Sequence, residues 1–338
     1  MSVPLFDTST PLAPLRARLN AKAVEVLDGG HYILGPEVSG FEREFADYLG
    51  TGHAIGVANG TDALTLALRA LGVGPGDEVV VPSFTFYASA EAVPPTGARP
   101  VFCDVDPESF CVTPETVRAA LTPRTKAVIV VHLFGNVAPV AEIEALGVPV
   151  VEDAAQAAGS IAADGRHAGA LGTIATFSFF PSKNLGAFGD GGAVTTSDDA
   201  LAERVRMLRF HGSRDKETFE LVGHNSRLDA LQAALLRVTL PQPFPGTTPA
   251  WHLYVVRHPE PNELAAALKA AGIGHKAYYR VPTHRQPAMR PYVDGADLPA
   301  TDEVARTHLA IPMSPVLSRE QAAEVVEAAR AVAANRMR

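Results

Sequence analysis

Apolar positions along the chain fall into two spacings. Val38, Phe41, Phe45 and Leu49 recur every three or four residues and predict a helix over 37–49, while Leu15, Leu19, Val24 and Leu27 give a looser helical pattern over 14–27. Between such stretches lie short runs that are apolar nearly throughout, at 53–57, 78–82 (EVVVP), 99–104, 126–133 (KAVIVVHL) and 149–152. Helical patterns separate them at 63–71 (ALTLALRAL), from 87 to 93, at 113–121 and at 139–146. Strands without a polar face, alternating with helices, predict an α/β fold whose mostly parallel central sheet carries helices on both faces. Ligands of such sheets bind beyond the carboxyl ends of the strands. Asn59, Phe86, His132, Asp153 and Lys183 are all expected there.

Further along, helices are expected over 200–210, over a stretch ending at 238, over 262–271 and over 319–334, with a strand at 251–257. The segment 241–250 (PQPFPGTTPA) holds four prolines and one glycine in ten residues, which marks a domain boundary. A large domain over 1–240 and a small C-terminal α/β domain over 241–338 follow. A chain of 338 residues can bury a core of that size. A net charge of −8 without a basic run argues against a nucleic-acid partner. Apolar runs such as 127–131 are too short to span a bilayer, and the first residues lack a signal-peptide pattern. Cys103 and Cys111 lack metal-ligand spacing and read as free thiols. A cytoplasmic protein with no metal and no membrane partner is expected.

The stretch 175–194, ATFSFFPSKNLGAFGDGGAV, carries the candidate chemistry. Residues 176–180 predict a buried strand, which Pro181 ends for want of an N–H. Lys183 follows, and then Gly186, Gly189, Gly191 and Gly192, which let the backbone approach a ligand closely. The chain has six lysines against twenty-three arginines. An amine among aromatic and glycine residues loses water, so its pKa falls and it becomes a nucleophile toward a carbonyl. The plain alternative is a lysine reaching out from a core edge. An aldehyde cofactor such as pyridoxal phosphate would need three more features: an anion site, a carboxylate for the pyridine nitrogen and a side chain to cover the ring. Asp153 suits the carboxylate, with a helix expected over AAQAA whose N-terminus would favour the anion. Gln156 can offer its amide to the phenolic oxygen. Gly60 and Thr61 at a helix start, with the hydroxyls of Thr61 and Ser178, suit the phosphate. Phe86 suits the ring, or equally the core.

These residues sit in segments that resemble the DegT/DnrJ/EryC1/StrS family of sugar aminotransferases, among them GPEVSGFEREFADYLG, GVANGTDALTLALRALGVGPGDEVVVPSFTFYAS, VVEDAAQAAGS, FSFFPSKNLGAFGDGGAV, NSRLDALQAALLR and VPTHRQP. They cover nearly the whole chain in family order. The resemblance implies the type I, aspartate-aminotransferase-like fold of pyridoxal-phosphate enzymes. It implies that Lys183 bonds the cofactor aldehyde, that Asp153 and Gln156 contact its ring, that Gly60, Thr61 and Ser178 hold its phosphate, and that Phe86 stacks on it. Asn225 matches an asparagine that reaches the phosphate from the neighbouring subunit, which implies a homodimer with shared active sites. His284 matches a position near the sugar.

The implied reaction moves an amino group from L-glutamate to a keto group of a nucleotide-linked (dTDP- or UDP-) deoxy sugar, with Lys183 as acid and base. The LGAFGDGG ending is more similar to members that aminate C3 than to those that aminate C4. Amination of a 4-keto sugar or a cyclitol, and a cofactor-free regulatory homologue, are the alternatives. Members that dehydrate sugars carry histidine where this chain has Lys183. One departure stands out. Family members insert roughly thirty more residues, a helix and its connection, where Val238 here passes to Trp251 through a short proline-rich link.

Overall fold

The computed structural model describes residues 3–240, 253–293, 295–314 and 316–334. Seven strands form the central sheet: β1 (His53–Val57), β2 (Glu78–Pro82), β3 (Arg99–Cys103), β4 (Thr125–Val131), β5 (Val150–Asp153), β6 (Ile174–Ser178) and β7 (Gly192–Thr196). Their order is β1-β7-β6-β5-β4-β2-β3. β7 runs antiparallel to both its neighbours, and every other pair is parallel. The helices along this part of the chain are α1 (Arg16–Gly29), α2 (Pro36–Leu49), α3 (Gly60–Ala70), α4 (Ala88–Glu91), α5 (Pro114–Ala120), α6 (Val140–Glu144), α7 (Asp199–Arg209) and α8 (Ala230–Thr239). All residues of β2, β5 and β7 are buried, so the sheet is covered on both faces, as unbroken apolar runs require.

Three elements differ from expectation. β6 starts at Ile174 and ends at Ser178, so Phe179 and Phe180 leave the sheet and begin the loop to Lys183. β7 has only Gly, Ala, Val and two Thr, a sequence too small-sided to read as a strand. It is stabilised by ladders on both sides, and at Gly192 an added Cβ would lie 2.5 Å from the Asn59 backbone. The helix expected from 87 to 93 stops at Glu91, because Pro94 and Pro95 divert the chain into a 3-10 turn.

Beyond α8, a two-stranded antiparallel sheet pairs β8 (Tyr254–Arg257) with β9 (His308–Ile311). Around it stand α9 (Pro261–Ala270), α10 (Pro299–Thr307) and α11 (Arg319–Ala334). The expected boundary at 241–250 and the first residues of the strand expected at 251–257 lie outside the described residues. Leu264, Leu268, Leu309 and Val325 form a small core of their own, joined by Val3 from the start of the chain. Val3 donates to the Gly272 carbonyl at 3.2 Å and accepts from Gly274 at 2.7 Å.

An aromatic cluster fixes β6, the strand that leads to the site. Phe45 of α2 stacks on Phe41 with ring centroids 5.4 Å apart. It also meets Phe177 and Phe179 edge-on at 4.9 and 5.5 Å. Its side chain is fully buried. Phe45→Ala should therefore cost about 3–5 kcal/mol. Urea unfolding should show a lower midpoint with an unchanged slope, and a loss below about 1 kcal/mol would contradict this role for the cluster.

Candidate active site

The carboxyl ends of β4, β5 and β6 and the first turn of α3 open on a cavity of about 900 Å³. Asn59, Phe86, Asp153 and Lys183 line it, as do Gly60, Thr61, Gln156 and Ser178. Lys183 arrives there because β6 ends at Ser178 and a tight turn follows, with the Lys183 N–H donating to the Phe180 carbonyl at 2.8 Å. Gly186 permits the turn, since a Cβ there would lie 2.5 Å from the Pro181 carbonyl oxygen. Burial pushes the Lys183 pKa down, and the charge of Asp153 opposes this only in part. The amine is thus more readily uncharged than a surface lysine, as the nucleophile reading requires.

Asp153 closes β5. Its Oδ2 accepts from the Ser89 hydroxyl at 2.7 Å and its Oδ1 from the Ala155 N–H at 3.2 Å. Thr85 Oγ1 lies 3.0 Å from Ser89 Oγ. Since Ser89 spends its proton on the carboxylate, Thr85 must be the donor in that contact. The helix expected over AAQAA does not form. Residues 154–158 make turns only, and Gly159, at φ 97°, takes the chain away. Two local hydrogen bonds, rather than a helix dipole, therefore support the anion.

At the opposite side, Asn59 caps α3, its Oδ1 accepting from the Asp62 N–H at 2.8 Å. The cap leaves the N–H groups of Gly60 and Thr61 at an open helix start, where an anion is favoured. A Cβ at Gly60 would lie 2.7 Å from that of Ser178, so glycine is what brings this turn and the Ser178 hydroxyl together. Phe86 is 56% exposed, which removes the reading of it as core. Gln156 Oε1 accepts from the Phe134 N–H at 2.8 Å, and its Nε2 donates to the Tyr279 hydroxyl at 2.9 Å. An anion cradle that an extra Cβ would fill, a carboxylate with two donors, a desolvated amine and an open aromatic face together fit pyridoxal phosphate. Among the described residues no cluster could hold a metal ion, and no helix is long and apolar enough to cross a membrane.

Three residues named from the sequence do not line this cavity, Asn225 among them as a residue expected to serve a neighbouring subunit. His132 is buried beneath the cavity, not in it. Its Nδ1 accepts from the Ala138 N–H at 3.1 Å, so its Nε2 carries the proton donated to Glu152 at 2.7 Å. His284 lies outside the cavity lining, its Nδ1 hydrogen-bonded to the Ser83 hydroxyl. Asn225 is exposed and lines no part of this chain's cavity. Conversely, Ser89, Lys276 and Tyr279 were not anticipated. The four-residue spacing of Thr85 and Ser89 in SFTFYAS hinted at one face of a turn, whereas nothing in KAYY pointed at a cavity so distant in sequence.

The fold and the cavity define a pyridoxal-phosphate aminotransferase of type I fold. A sequence profile of the DegT/DnrJ/EryC1/StrS aminotransferase family matches residues 14–244 and 241–330, and the chain belongs to that family. It is 45% identical to dTDP-3-amino-3,4,6-trideoxy-alpha-D-glucose transaminase of Streptomyces venezuelae, over 97% of this chain and 95% of that one. It is 41% identical to a pleiotropic regulatory protein of Geobacillus stearothermophilus, over 97% of each. Other relatives are named as aminotransferases of UDP-linked 3-keto sugars. The crystal structure of S. venezuelae DesV in complex with a ketimine intermediate superposes with a TM-score of 0.91 at 44% identity, covering 98% of both chains. The alignment with the S. venezuelae transaminase spans 365 positions against 338 residues here, so that relative carries residues this chain lacks. The two profile matches meet at 241–244, within the short proline-rich link.

Two outcomes are expected. Ser89→Ala removes a hydrogen bond to a charged group, about 1.5–3 kcal/mol, and should lower pyridoxal-phosphate affinity at least tenfold in a fluorescence titration. The folded-state pKa of Lys183 lies below its unfolded value of 10.5, so the unfolded chain binds the extra proton in that interval and stability rises with pH across it. Without cofactor, Lys183→Met should therefore be more stable than wild type at neutral pH, and the gap should shrink toward pH 10. An equal pH dependence of the two denaturation curves would refute the desolvated amine.

Proposed function

We propose that this enzyme transfers an amino group from L-glutamate to a keto group of a dTDP- or UDP-linked deoxy sugar, with position C3 favoured. The observation that carries the reading is the pairing of a desolvated Lys183 with a hydrogen-bonded Asp153 across one cavity, whose volume of about 900 Å³ leaves room for a substrate beside a cofactor. The relatives named for 3-amino or 3-keto nucleotide sugars support the position and the substrate class.

In this reading Gly60, Thr61 and Ser178 bind the phosphate, and Phe86 covers the ring. Gln156 reaches the ring's phenolic oxygen with the second hydrogen of its Nε2. Asp153 holds a proton on the pyridine nitrogen, helped by Ser89 and Ala155. Pyridoxal phosphate, when bound, supplies the electron sink that makes the donor's Cα acidic. Lys183 Nζ holds the aldehyde carbon at rest. Freed from that carbon by a substrate amine, the desolvated Nζ would be the base that takes the proton from Cα and the acid that gives it to the cofactor's aldehyde carbon. Lys276 is, among the described lining residues, the cation besides Lys183, and it faces the negative charge of the substrates.

The assembly read here is a cytoplasmic homodimer. Tyr32, Ile33 and Phe188 are exposed apolar side chains, and each residue is tied by hydrogen bond or bridge to the first turn of α8 or its cap. Pairing of this face with a second copy would cover them and give Asn225 a phosphate to reach. The domain division at 240/241 belongs to the same reading, as does a place for His284 near the sugar across the assembled site.

A panel of 3-keto and 4-keto nucleotide sugars with L-glutamate, read by mass spectrometry and NMR of the product, tests the function. Amination at C3 is expected, and Lys183→Ala should abolish turnover. Amination only at C4 or on a cyclitol would redirect the substrate assignment. A purified protein that stays colourless with added pyridoxal phosphate and aminates nothing would overturn the enzyme reading in favour of a regulator.

A further inference from the structure

Tyr279 enters the cavity from the segment 276–279, whose backbone is anchored to β9 by bonds in both directions between Lys276 and Ala310, at 3.1 and 2.8 Å. Its φ is 61°, a left-handed conformation that costs a bulky side chain energy and persists where the surroundings impose it. Those surroundings are aromatic. The ring lies parallel to Phe134 (centroids 6.2 Å apart, 6° between planes) and edge-on to Phe84 at 5.8 Å, and it is tilted against Phe86 at 6.2 Å.

The hydrogen bonds settle which way the hydroxyl is used. Gln156 cannot be flipped, because its Oε1 accepts from a backbone N–H, that of Phe134. The group facing Tyr279 is therefore Nε2, a donor, and Tyr279 Oη is the acceptor. The phenolic proton remains to be donated, and no described hydrogen bond uses it. Burial and the nearby charge of Asp153 hold the Tyr279 pKa far above the usual phenol range, so the proton stays in place at any working pH.

We propose that Tyr279 is a substrate-contacting residue whose hydroxyl, held by Gln156, donates its proton to an oxygen of the substrate bound in the cavity. This rests on the aminotransferase reading above and deepens it. Both proposed substrates offer such an oxygen, a carboxylate on the amino donor and neutral keto or hydroxyl oxygens on the sugar.

Tyr279→Phe in the holoenzyme keeps the ring packing and removes only the hydroxyl. The two half-reactions are followed separately by the cofactor's absorbance, with L-glutamate alone and then with the ketosugar. Cofactor affinity is expected to stay within about twofold and the unfolding midpoint unchanged, while kcat/KM falls in one half-reaction. A fall of about 10- to 100-fold with glutamate would identify the carboxylate as acceptor, and one of about three- to tenfold with the sugar a neutral oxygen. A smaller but measurable factor should remain when Tyr279→Phe is combined with Gln156→Leu, because the hydroxyl then loses its support but not its acceptor. An unchanged kcat/KM in both half-reactions overturns the proposal. So does a loss that appears only as weaker cofactor binding, or one that vanishes in the Gln156→Leu background, since Tyr279 would then act through Gln156 alone. Wild-type enzyme inert toward both substrates would defeat the underlying aminotransferase reading, whereas active wild type with an equally active variant defeats only this one.

Discussion

A lysine amine and a carboxylate share one cavity here without forming an ion pair, and the site depends on that separation. Had Lys183 settled against Asp153, the pair would have stabilised the protonated amine and opposed the nucleophilic role proposed for it. Instead Asp153 has its own donors in Ser89 and Ala155, while Lys183 is left to the effect of desolvation. The sheet makes this possible. β5 and β6 are adjacent and parallel, and Asp153 ends β5 opposite Thr176 while β6 runs two residues further to Ser178, so the carboxylate and the loop to Lys183 leave the sheet at different levels. Successive residues of a strand point to opposite faces, and β5 uses both. Asp153 turns to the cavity, and Glu152 turns away to collect His132 and the N–H groups of Gly169, Leu171 and Gly172. Those four donors compensate its burial and hold the 169–172 segment, which leads into β6. The carboxylate that faces the chemistry is thus braced by the one that does not.

The parallel sheet was legible because the inner residues of β2, β4 and β5 are buried on both faces and read as runs of valine, alanine and isoleucine. The α3 start, the cavity lysine and Asp153 were legible for a related reason. Small residues at a strand-to-helix turn, a lysine among glycines and an acid at a strand's end each break an otherwise apolar pattern, and such breaks are where function is expected. β7 was not legible, since Gly192 to Thr196 forms a central strand through ladders supplied by its neighbours and not through its own side chains. The AAQAA stretch misled because its composition is helical while Gly159 and the side-chain duties of Gln156 leave room for turns only. His132 misled in another way. Its position at the end of a strand was read correctly, but which face its ring takes depends on Glu152, and no local pattern records that. Ser89 and Tyr279 are hydrogen-bonded to partners 64 and 123 residues away, Asp153 and Gln156, and separations of that kind are invisible to periodicity.

The cavity divides by origin. Every residue assigned to the cofactor within this chain lies between Gly60 and Lys183, on strands and turns locked into the large sheet. Lys276 and Tyr279 come from a later segment anchored to β9. The two profile matches meet at 241–244, after the last of those cofactor residues and before Lys276. A change there leaves the phosphate cradle, Asp153 and Lys183 untouched, because the hydrogen bonds and packing that hold them close before Leu240. It does alter the chain between the two sides of the cavity. Divergence between this enzyme and its relatives is therefore to be sought in what they bind beside the cofactor, not in how they hold it.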